Sequence, residues 1–319
     1  MKNLIIGGSG FVGSFLIESL EKKETKNYDK NQSLYFKNLT TIGNILDINK
    51  LRKVMVGVKS VVLLAAEHRD DVSPTKLYYD VNVTGTKNVL DLMDEIGIKK
   101  LIFTSTVAVY GLNKLNPNEK SQPDPFNHYG KSKIQAEKLI HTWYNNDPEN
   151  KSVTIIRPTV IFGERNRGNM YNLMKKIHDN SFVMIGNGKN KKSVAYIRNV
   201  VAFIVNRLNN EEKGLNIYNY VDKPDMKMNE LILILKKEIK SKNINIRIPY
   251  FLALFIGLVF DGFSFLLKKN FTISYIRIKK FCASTQYDAK KANDIFKPPF
   301  SIQQGLVKTI DYEFSNCKK

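Results

Sequence analysis

The chain has 319 residues, with 50 Lys and Arg against 30 Asp and Glu, which gives a net charge of +20. A chain of this length can bury a large core without disulfides or metals. Its two cysteines, Cys282 and Cys317, show none of the Cys and His spacings of a zinc site, so we expect no metal. The charge is spread in single lysines and pairs, which favours a solvated surface over a nucleic-acid-binding face.

The first predicted element is a strand over Lys2–Ile6, directly after Met1. This start leaves no room for a signal peptide, and the distant cysteines fit a reducing compartment. We therefore expect a cytoplasmic protein. Glycines follow the strand, and an amphipathic helical pattern follows the glycines, so the chain opens as strand, turn and helix.

Strands and helices then alternate over the first 160 residues or so. The predicted strands are Ser60–Ala65, Lys100–Ser105 and Val153–Arg157, and the predicted helices are Leu51–Val56, Thr84–Ile96 and Tyr129–Trp143. The segment Lys26–Gln32 is polar and by composition a poor strand. The alternation predicts an α/β fold with a doubly wound parallel sheet that helices cover on both faces.

After Pro158 the alternation weakens, and helices are predicted near Tyr171–His178, Met228–Lys240 and Tyr250–Leu267. The apolar run Ile248–Phe260 is too short for a spanning helix, which needs about 20 residues. It is interpreted as a buried or interfacial helix, so no integral membrane segment is expected. Peripheral contact with a membrane stays open.

Three glycines, Gly7, Gly10 and Gly13, follow the first strand at spacings of three and three. Gly7 permits a tight turn, Gly10 lets the backbone approach a pyrophosphate, and Gly13 lets the helix pack closely on the sheet. The helix then starts at Phe11 and Val12, and its N-terminal N–H groups favour an anion. This pattern predicts a dinucleotide-binding turn.

Asp29, 22 residues after Gly7, fits the acid that binds the adenosine ribose hydroxyls at the end of the second strand. A carboxylate there repels a 2′-phosphate. NAD is therefore favoured over NADP.

Tyr129 and Lys133 lie four residues apart, on one face of a predicted helix. A tyrosine with a pKa near 10 is a poor base at neutral pH, and a nearby cation stabilises its phenolate. Thr106, at the end of a predicted strand, supplies a hydroxyl that could hold a substrate oxygen. These three residues are the predicted catalytic group.

Several motifs together resemble the extended short-chain dehydrogenases, or NAD-dependent epimerase/dehydratase family, which includes nucleotide-sugar epimerases, dehydratases and 4-ketoreductases. The resemblance rests on Gly7–Gly13, Leu64–Ala66, Asn82–Thr86, Thr104–Gly111, Tyr129–Lys133, Arg157–Pro158 and Ile161–Gly163. It implies a Rossmann-like NAD-binding domain over 1–162, with a return segment at about 193–222. The smaller, C-terminal substrate-binding region would be 163–192 and 223–319.

The resemblance also implies residue roles. Thr106 would be the catalytic hydroxyl, Tyr129 the acid/base, and Lys133 would also hold the nicotinamide ribose. The remaining cofactor residues it implies are Asn44, Ile45, Ala65, Ala66, Asn82 and Pro158, with asparagine at 44 where the family has aspartate. The substrate residues it points to are Glu67, His68, Thr106, Asn169 and Lys192, and the polar stretch around His68 continues to Asp70 and Asp71.

The reaction predicted is 4-epimerisation of a UDP-hexose or UDP-N-acetylhexosamine through a 4-keto sugar. Val107 and Ala108 replace the acids that dehydratases of this kind carry, which disfavours dehydration. Open alternatives are an NAD(P)H-dependent 4-keto-sugar reductase, a hydroxysteroid or lipid-alcohol dehydrogenase, and a dinucleotide-sensing or nucleic-acid-binding regulator. A homodimer through Thr84–Ile96 and Tyr129–Trp143, and a role in polysaccharide biosynthesis, would follow the family.

Overall fold

The computed structural model describes residues 2–69, 72–112, 114–210, 212–242, 246–267 and 274–315. The chain divides into two compact units. Unit 1 contains Met1–Ile161, Ala195–Val221 and Tyr287–Phe300, and unit 2 contains the remaining segments. The predicted substrate-binding region included 287–300, whereas here Tyr287–Phe300 belongs to the first unit.

Twelve strands and twelve helices follow one another within the described residues. The strands are β1 Lys2–Ile6, β2 Thr25–Asp29, β3 Thr40–Ile42, β4 Val58–Leu63, β5 Lys100–Thr104, β6 Ser152–Pro158, β7 Val160–Phe162, β8 Met184–Ile185, β9 Lys191–Tyr196, β10 Gly214–Tyr220, β11 Asp222–Lys227 and β12 Arg247–Ile248. The helices are α1 Phe11–Ser19, α2 Ile48–Met55, α3 Lys76–Tyr79, α4 Gly85–Ile96, α5 His128–Asn145, α6 Asn169–His178, α7 Ile197–Asn209, α8 Met228–Ile239, α9 Tyr250–Leu267, α10 Tyr275–Cys282, α11 Lys290–Asn293 and α12 Ile302–Ile310.

Unit 1 is built on a parallel sheet of seven strands in the order β10-β6-β5-β4-β1-β2-β3. Successive buried residues of β5, such as Leu101 and Ile102, point to opposite faces. Helices α2, α4 and α5 pack with one face in a single apolar core, and α1 and α7 pack together as the second helical layer. The predicted doubly wound, Rossmann-like α/β fold is confirmed.

The segment that composition marked as a poor strand is a strand in the structure. Residues 25–29 form β2, parallel to β1. Tyr28 is fully buried, and the buried Asn27 amide donates to Ser9 Oγ at 3.2 Å and Thr40 Oγ1 at 2.9 Å. The prediction was wrong here because the Asn27 amide nitrogen finds hydrogen-bond partners far along the chain, which short-range composition does not show.

The sheet brings the predicted site residues of unit 1 to one edge. Ile6 pairs in register with Leu63, and Leu63 with Phe103, so β1, β4 and β5 end together. The strand order reverses between β1 and β4, and such a switch point opens a crevice at the carboxyl ends of parallel strands. The loops after Ile6, Leu63 and Thr104 meet there.

Unit 2 contains short strands and the helices α6, α8, α9, α10 and α12. In it, β11 pairs antiparallel with β9, and β12 pairs parallel with β8. Helix α9 begins and ends where it was predicted. Several of its large apolar side chains are exposed, which excludes the wholly buried helix and leaves the interfacial one of the two interpretations. Across the described ranges, each helix is too short or too polar to cross a bilayer.

Candidate active site and cofactor groove

The turn after β1 requires glycine at two positions because other backbone fills the side-chain space. Gly7 has a φ of +92°, and a Cβ there would lie 2.5 Å from Ala65 N. A Cβ at Gly13 would lie 2.4 Å from Gly8 Cα. Gly13 was expected to bring the helix onto the sheet, but the contact that excludes a side chain is with the turn itself. The turn and helix α1 are therefore locked together.

Helix α1 starts immediately after this turn. Gly10 is the N-cap and provides no side-chain hydrogen bond to the helix, whose first residues are Phe11 and Val12. The N–H groups of the first turn of a helix have no partner within the helix and carry its positive dipole end. An anionic group such as a pyrophosphate suits this position.

Asp29 is the last residue of β2, at the position the sequence predicted. Its carboxylate accepts hydrogen bonds from Ser9 N at 2.9 Å and Asn31 N at 2.8 Å. These bonds fix the carboxylate beside the glycine turn. A ribose bound on this turn would lie beside a carboxylate whose position these hydrogen bonds fix.

The other predicted groove residues lie around the same sheet edge. Ala65 and Ala66 follow β4 and are partly buried, and Ala65 N donates to Ile6 O at 2.8 Å. Asn44 Oδ1 accepts from Leu46 N at 3.0 Å, and Ile45 is buried. Their contacts with a cofactor stay predictions.

Asn82 is a fully buried amide whose hydrogen bonds are made within the protein. Its Oδ1 accepts from Glu67 N at 2.8 Å, and its Nδ2 donates to Glu67 O at 2.9 Å and to Ser132 Oγ at 2.8 Å. Asn82 thus connects the loop after β4 to the helix α5. The contacts that the structure shows are those of a positioning residue.

Thr106 and Tyr129 come together at the start of α5. The side chain of Thr106 lies beside the Tyr129 phenol, and its Oγ1 accepts from Ala108 N at 3.1 Å. Burial raises the pKa of Tyr129 to about 12, and the nearby Thr106 side chain partly offsets this. Asn127 begins the helix, since its Oδ1 accepts from Gly130 N at 2.9 Å.

Lys133 lies one helical turn after Tyr129, buried against the ring of Phe103 with Nζ 3.9 Å from its centroid. Burial lowers the pKa of Lys133 to about 7, and the nearby charge of Glu137 acts in the opposite direction. Lys133 Nζ forms no hydrogen bond or ion pair with the described residues. A buried ammonium without an acceptor fits a ligand with hydroxyl groups, so the residues present suit a nicotinamide ribose.

A buried network behind the catalytic helix was missed by sequence reasoning. Glu137, one turn after Lys133, accepts from Ser105 Oγ and from Arg157 Nε and Nη2, and Arg157 Nη1 donates to Tyr110 Oη at 2.7 Å. All these side chains are buried. The available signal was a carboxylate four residues after Lys133, on the face of α5 that already carries Tyr129 and Lys133.

Two predicted substrate residues and one predicted cofactor residue also lie in unit 1. The Glu67 side chain is mostly buried and pairs with Lys30 Nζ at 3.6 Å, whereas His68 is exposed. Asp70 and Asp71, which continue this stretch, lie outside the described residues. Pro158 is buried at the end of β6, in register with Tyr220.

Unit 2 contains the other two predicted substrate residues. Asn169 is exposed at the start of α6. Lys192 is partly buried, and its Nζ donates to the carbonyl oxygens of Lys280 at 3.0 Å and Ala283 at 2.7 Å, at the end of α10. Burial lowers the pKa of Lys192 to about 8. Two of its three donors therefore serve the helix end, and a diphosphate contact stays a prediction.

Across the described residues, no cluster of His, Cys, Asp and Glu side chains could hold a metal ion. The predicted catalytic group in unit 1 consists of a hydroxyl, a phenol and an ammonium, those of Thr106, Tyr129 and Lys133. These groups can exchange a proton with an alcohol and hold it beside a dinucleotide.

Comparison with known proteins agrees with this arrangement. The chain is 52% identical, over 99% of its length and 96% of the relative, to N-acetyl-alpha-D-glucosaminyl-diphospho-ditrans,octacis-undecaprenol 4-epimerase of Escherichia coli O157:H7. It is 29% identical to a decarboxylating sterol-4-alpha-carboxylate 3-dehydrogenase of Mus musculus, over 100% of this chain and 92% of the relative. The crystal structure of UDP-glucose 4-epimerase from Thermotoga maritima with UDP-glucose shares the fold, with a TM-score of 0.78, 20% identity and 100% coverage of both chains.

The family model of the NAD dependent epimerase/dehydratase family matches residues 3–220. The match spans the glycine turn, the Thr106, Tyr129 and Lys133 group and every strand of the central sheet. The resemblance expected from the motifs is thus confirmed, and the chain belongs to the NAD dependent epimerase/dehydratase family.

Proposed function

We propose that this protein is an NAD-dependent 4-epimerase of an N-acetylhexosamine that is joined through a diphosphate to a polyprenyl carrier. The observation that carries the reaction is the position of the Thr106 side chain beside the Tyr129 phenol, with the buried Lys133 one helical turn away. The carrier is inferred from the 52% identical relative, whose name specifies N-acetylglucosamine on undecaprenyl diphosphate.

The chemistry assigned to the chain is the movement of one proton. Thr106 holds the oxygen at C4 of the sugar, and the Tyr129 phenolate takes the proton of that hydroxyl. Protonated Lys133 stabilises the phenolate, whose formation burial opposes. NAD would be held by the glycine turn, Asp29 and Lys133, and it would supply the acceptor and donor of the hydride at C4. Tyr129 then gives its proton back to the 4-keto oxygen after the sugar has turned its other face.

Two observations favour epimerisation over the related reactions. Val107 and Ala108, at the start of a short helical turn after Thr106, have no acid that could expel water from the sugar. Identity to the 4-epimerase is 52%, against 29% to the sterol dehydrogenase, which favours epimerisation over oxidation of a lipid alcohol. The sequence pointed to a nucleotide carrier, and the relative's name favours a polyprenyl one.

The test is an isomerisation assay on the purified protein. N-acetylglucosaminyl diphosphate on a short polyprenol and UDP-N-acetylglucosamine are incubated separately, and the released sugars are identified by chromatography. Formation of N-acetylgalactosamine from the polyprenyl substrate, with no net consumption of reduced cofactor, is expected. Conversion of the UDP-linked sugar alone would overturn the proposed carrier, and conversion of neither would overturn the reaction.

The matched variants are Tyr129→Phe and Tyr144→Phe, because both tyrosines lie on α5. Tyr129→Phe should lower turnover at least about 100-fold while the protein still binds NAD, since a positioned proton transfer is lost. Tyr144→Phe should turn over like the wild type. Equal activity in the two variants would remove Tyr129 from its role.

We also propose a cytoplasmic, homodimeric enzyme of polysaccharide biosynthesis. The dimer would form through α4 and α5, which pack on each other in unit 1 and carry exposed polar residues such as Lys87 and Lys131. Sedimentation equilibrium should give twice the mass of one chain. The mass of one chain would exclude this dimer.

A further inference from the structure

Helix α9 presents an exposed apolar face. Seven large apolar side chains of this helix are 40 to 83% exposed, namely Phe251, Leu252, Phe255, Leu258, Val259, Phe263 and Leu267. Single exposed apolar residues are ordinary, but contiguous apolar patches of this kind mark binding surfaces. The catalytic chemistry makes no use of this patch.

The exposed side chains lie on one side of the helix because they recur every three or four residues. The other side packs on α10. Ala253 is buried there, and a Cβ at Gly257 would lie 2.9 Å from Tyr275 Cα. Glycine at 257 lets the two helices approach closely, and Ile278 of α10 is buried in the same contact. Helix α9 thus satisfies its internal packing with one face and leaves the apolar face outward.

The sequence from α9 to the end of α10 is rich in basic residues. From Tyr250 to Cys282 the sequence contains one acid, Asp261, and five basic residues, Lys268, Lys269, Arg277, Lys279 and Lys280. Asp261 accepts a hydrogen bond from Tyr275 N at 3.0 Å. Arg277 and Lys279 are exposed on α10. An apolar helix face in a basic segment of the chain is complementary to a surface that is apolar inside and anionic outside.

We propose that the α9 face docks on a phospholipid bilayer that contains anionic lipids. The helix would lie along the interface, with its phenylalanine and leucine side chains among the acyl chains and the basic residues of the α9 and α10 segment against the headgroups. A second copy of the same patch is the weaker occupant, because it would bring these like charges together. Membrane docking does not depend on the epimerisation chemistry, and its test needs no substrate.

The experiment is co-sedimentation of the full-length protein with vesicles. One set of vesicles contains phosphatidylcholine alone, and the other contains phosphatidylcholine with phosphatidylglycerol. The wild type should bind the anionic vesicles and be released by high salt, because screening weakens the attraction of the basic residues. Protein that stays in the supernatant with both sets would overturn the proposal.

Two sets of substitutions make the test specific. The triple variant Phe251→Gln, Phe255→Gln and Leu258→Gln should reduce partition at least about tenfold, because apolar area buried in the interface drives binding. The control, Leu34→Gln with Leu233→Gln, replaces side chains that are 83% and 71% exposed elsewhere and should bind like the wild type. The circular dichroism spectra of all variants should match.

The possible outcomes distinguish a membrane from a second copy as the occupant of the α9 face, and they distinguish membrane docking from the proposed reaction. Equal partition of the triple variant and the wild type would refute docking through α9. A wild-type mass that falls by half in the triple variant, without vesicle binding in the wild type, would assign the face to a second copy. A protein that binds vesicles but converts no sugar would leave docking intact and overturn only the proposed reaction.

Discussion

The Glu137 carboxylate accepts two hydrogen bonds from Arg157, at 3.0 Å from Nε and 2.5 Å from Nη2. Glu137 lies on α5 and Arg157 on β6, so the pair joins the helix of Tyr129 and Lys133 to the sheet. Burial opposes the charge of Arg157, but the hydrogen bonds and charge of Glu137 raise its pKa above the ordinary value. The position of the catalytic helix therefore depends on a charge pair beneath it.

Glu137→Gln should destabilise the protein by about 3 kcal/mol, because Arg157 would stay buried without its counter-charge. Urea unfolding at neutral pH measures this, and Glu95→Gln in the exposed pair with Arg52 is the control, which should leave the midpoint close to that of the wild type. Glu137 also raises the pKa of Lys133, so the variant should move the pH profile of turnover. A variant with wild-type stability and profile would show that the pair does not position the helix.

The stability of the protein should depend on pH through Lys133. Its pKa is about 7 in the folded protein and 10.5 in the unfolded chain, so between these values the unfolded state binds more protons. The burial penalty is complete below pH 7 and disappears as pH rises towards 10.5. Lys133→Met should therefore raise the free energy of unfolding more at pH ~6 than at pH ~10, by roughly 5 kcal/mol at most.

Urea unfolding of the wild type and of Lys133→Met at both pH values measures this difference. Lys131→Met removes an exposed lysine from the same helix and serves as the matched control. A gain in Lys133→Met that is the same at both pH values would contradict the lowered pKa of Lys133.

Asp29 should determine the choice between NAD and NADP. Asp29→Asn keeps the size of the side chain and removes the charge that repels a 2′-phosphate. The ratio of the two dissociation constants, measured by calorimetry, should shift towards NADP by about tenfold, equivalent to about 1.4 kcal/mol. Asp91→Asn, an exposed carboxylate on α4, should leave the ratio unchanged. An unchanged ratio in Asp29→Asn would mean that this carboxylate does not face the ribose.

Gly13 should not tolerate a side chain. Gly13→Ala places a Cβ 2.4 Å from Gly8 Cα, and that backbone cannot move without opening the cofactor turn. We expect a loss of about 1 to 3 kcal/mol in stability and weaker NAD binding. Gly262→Ala is the control, because nothing lies within 4 Å of the added Cβ in helix α9. That substitution should be neutral or slightly stabilising, and equal effects at the two positions would refute the steric explanation.

Short-range patterns predicted much of unit 1. Apolar runs of branched residues identified β4, β5 and β6, and α5 was predicted within two residues of its observed start and end. The glycine turn, Asp29 and the Thr106, Tyr129 and Lys133 group lie on the elements expected for them. These features depend on periodicity and on the ends of strands, which neighbouring residues largely determine.

The features that were missed depend on residues far apart in sequence. The Asn27 amide nitrogen in β2 donates to Ser9 and Thr40, and the charge of Glu137 is paired with Arg157. The sequence also left open whether α9 is buried or interfacial, since apolar composition does not show which residues pack against a helix. In each case the missing information was a tertiary contact.

The last segment of unit 1, Tyr287–Phe300, has a consequence for biosynthesis. The side chain of Asn199 on α7 holds this segment through two hydrogen bonds with the backbone of Phe300. It donates to Phe300 O at 2.8 Å and accepts from Phe300 N at 3.0 Å. The residues of the cofactor groove are translated long before this segment. A nascent chain therefore carries an incomplete first unit until residue 300 has left the ribosome. The two units cannot fold one after the other in the order of translation.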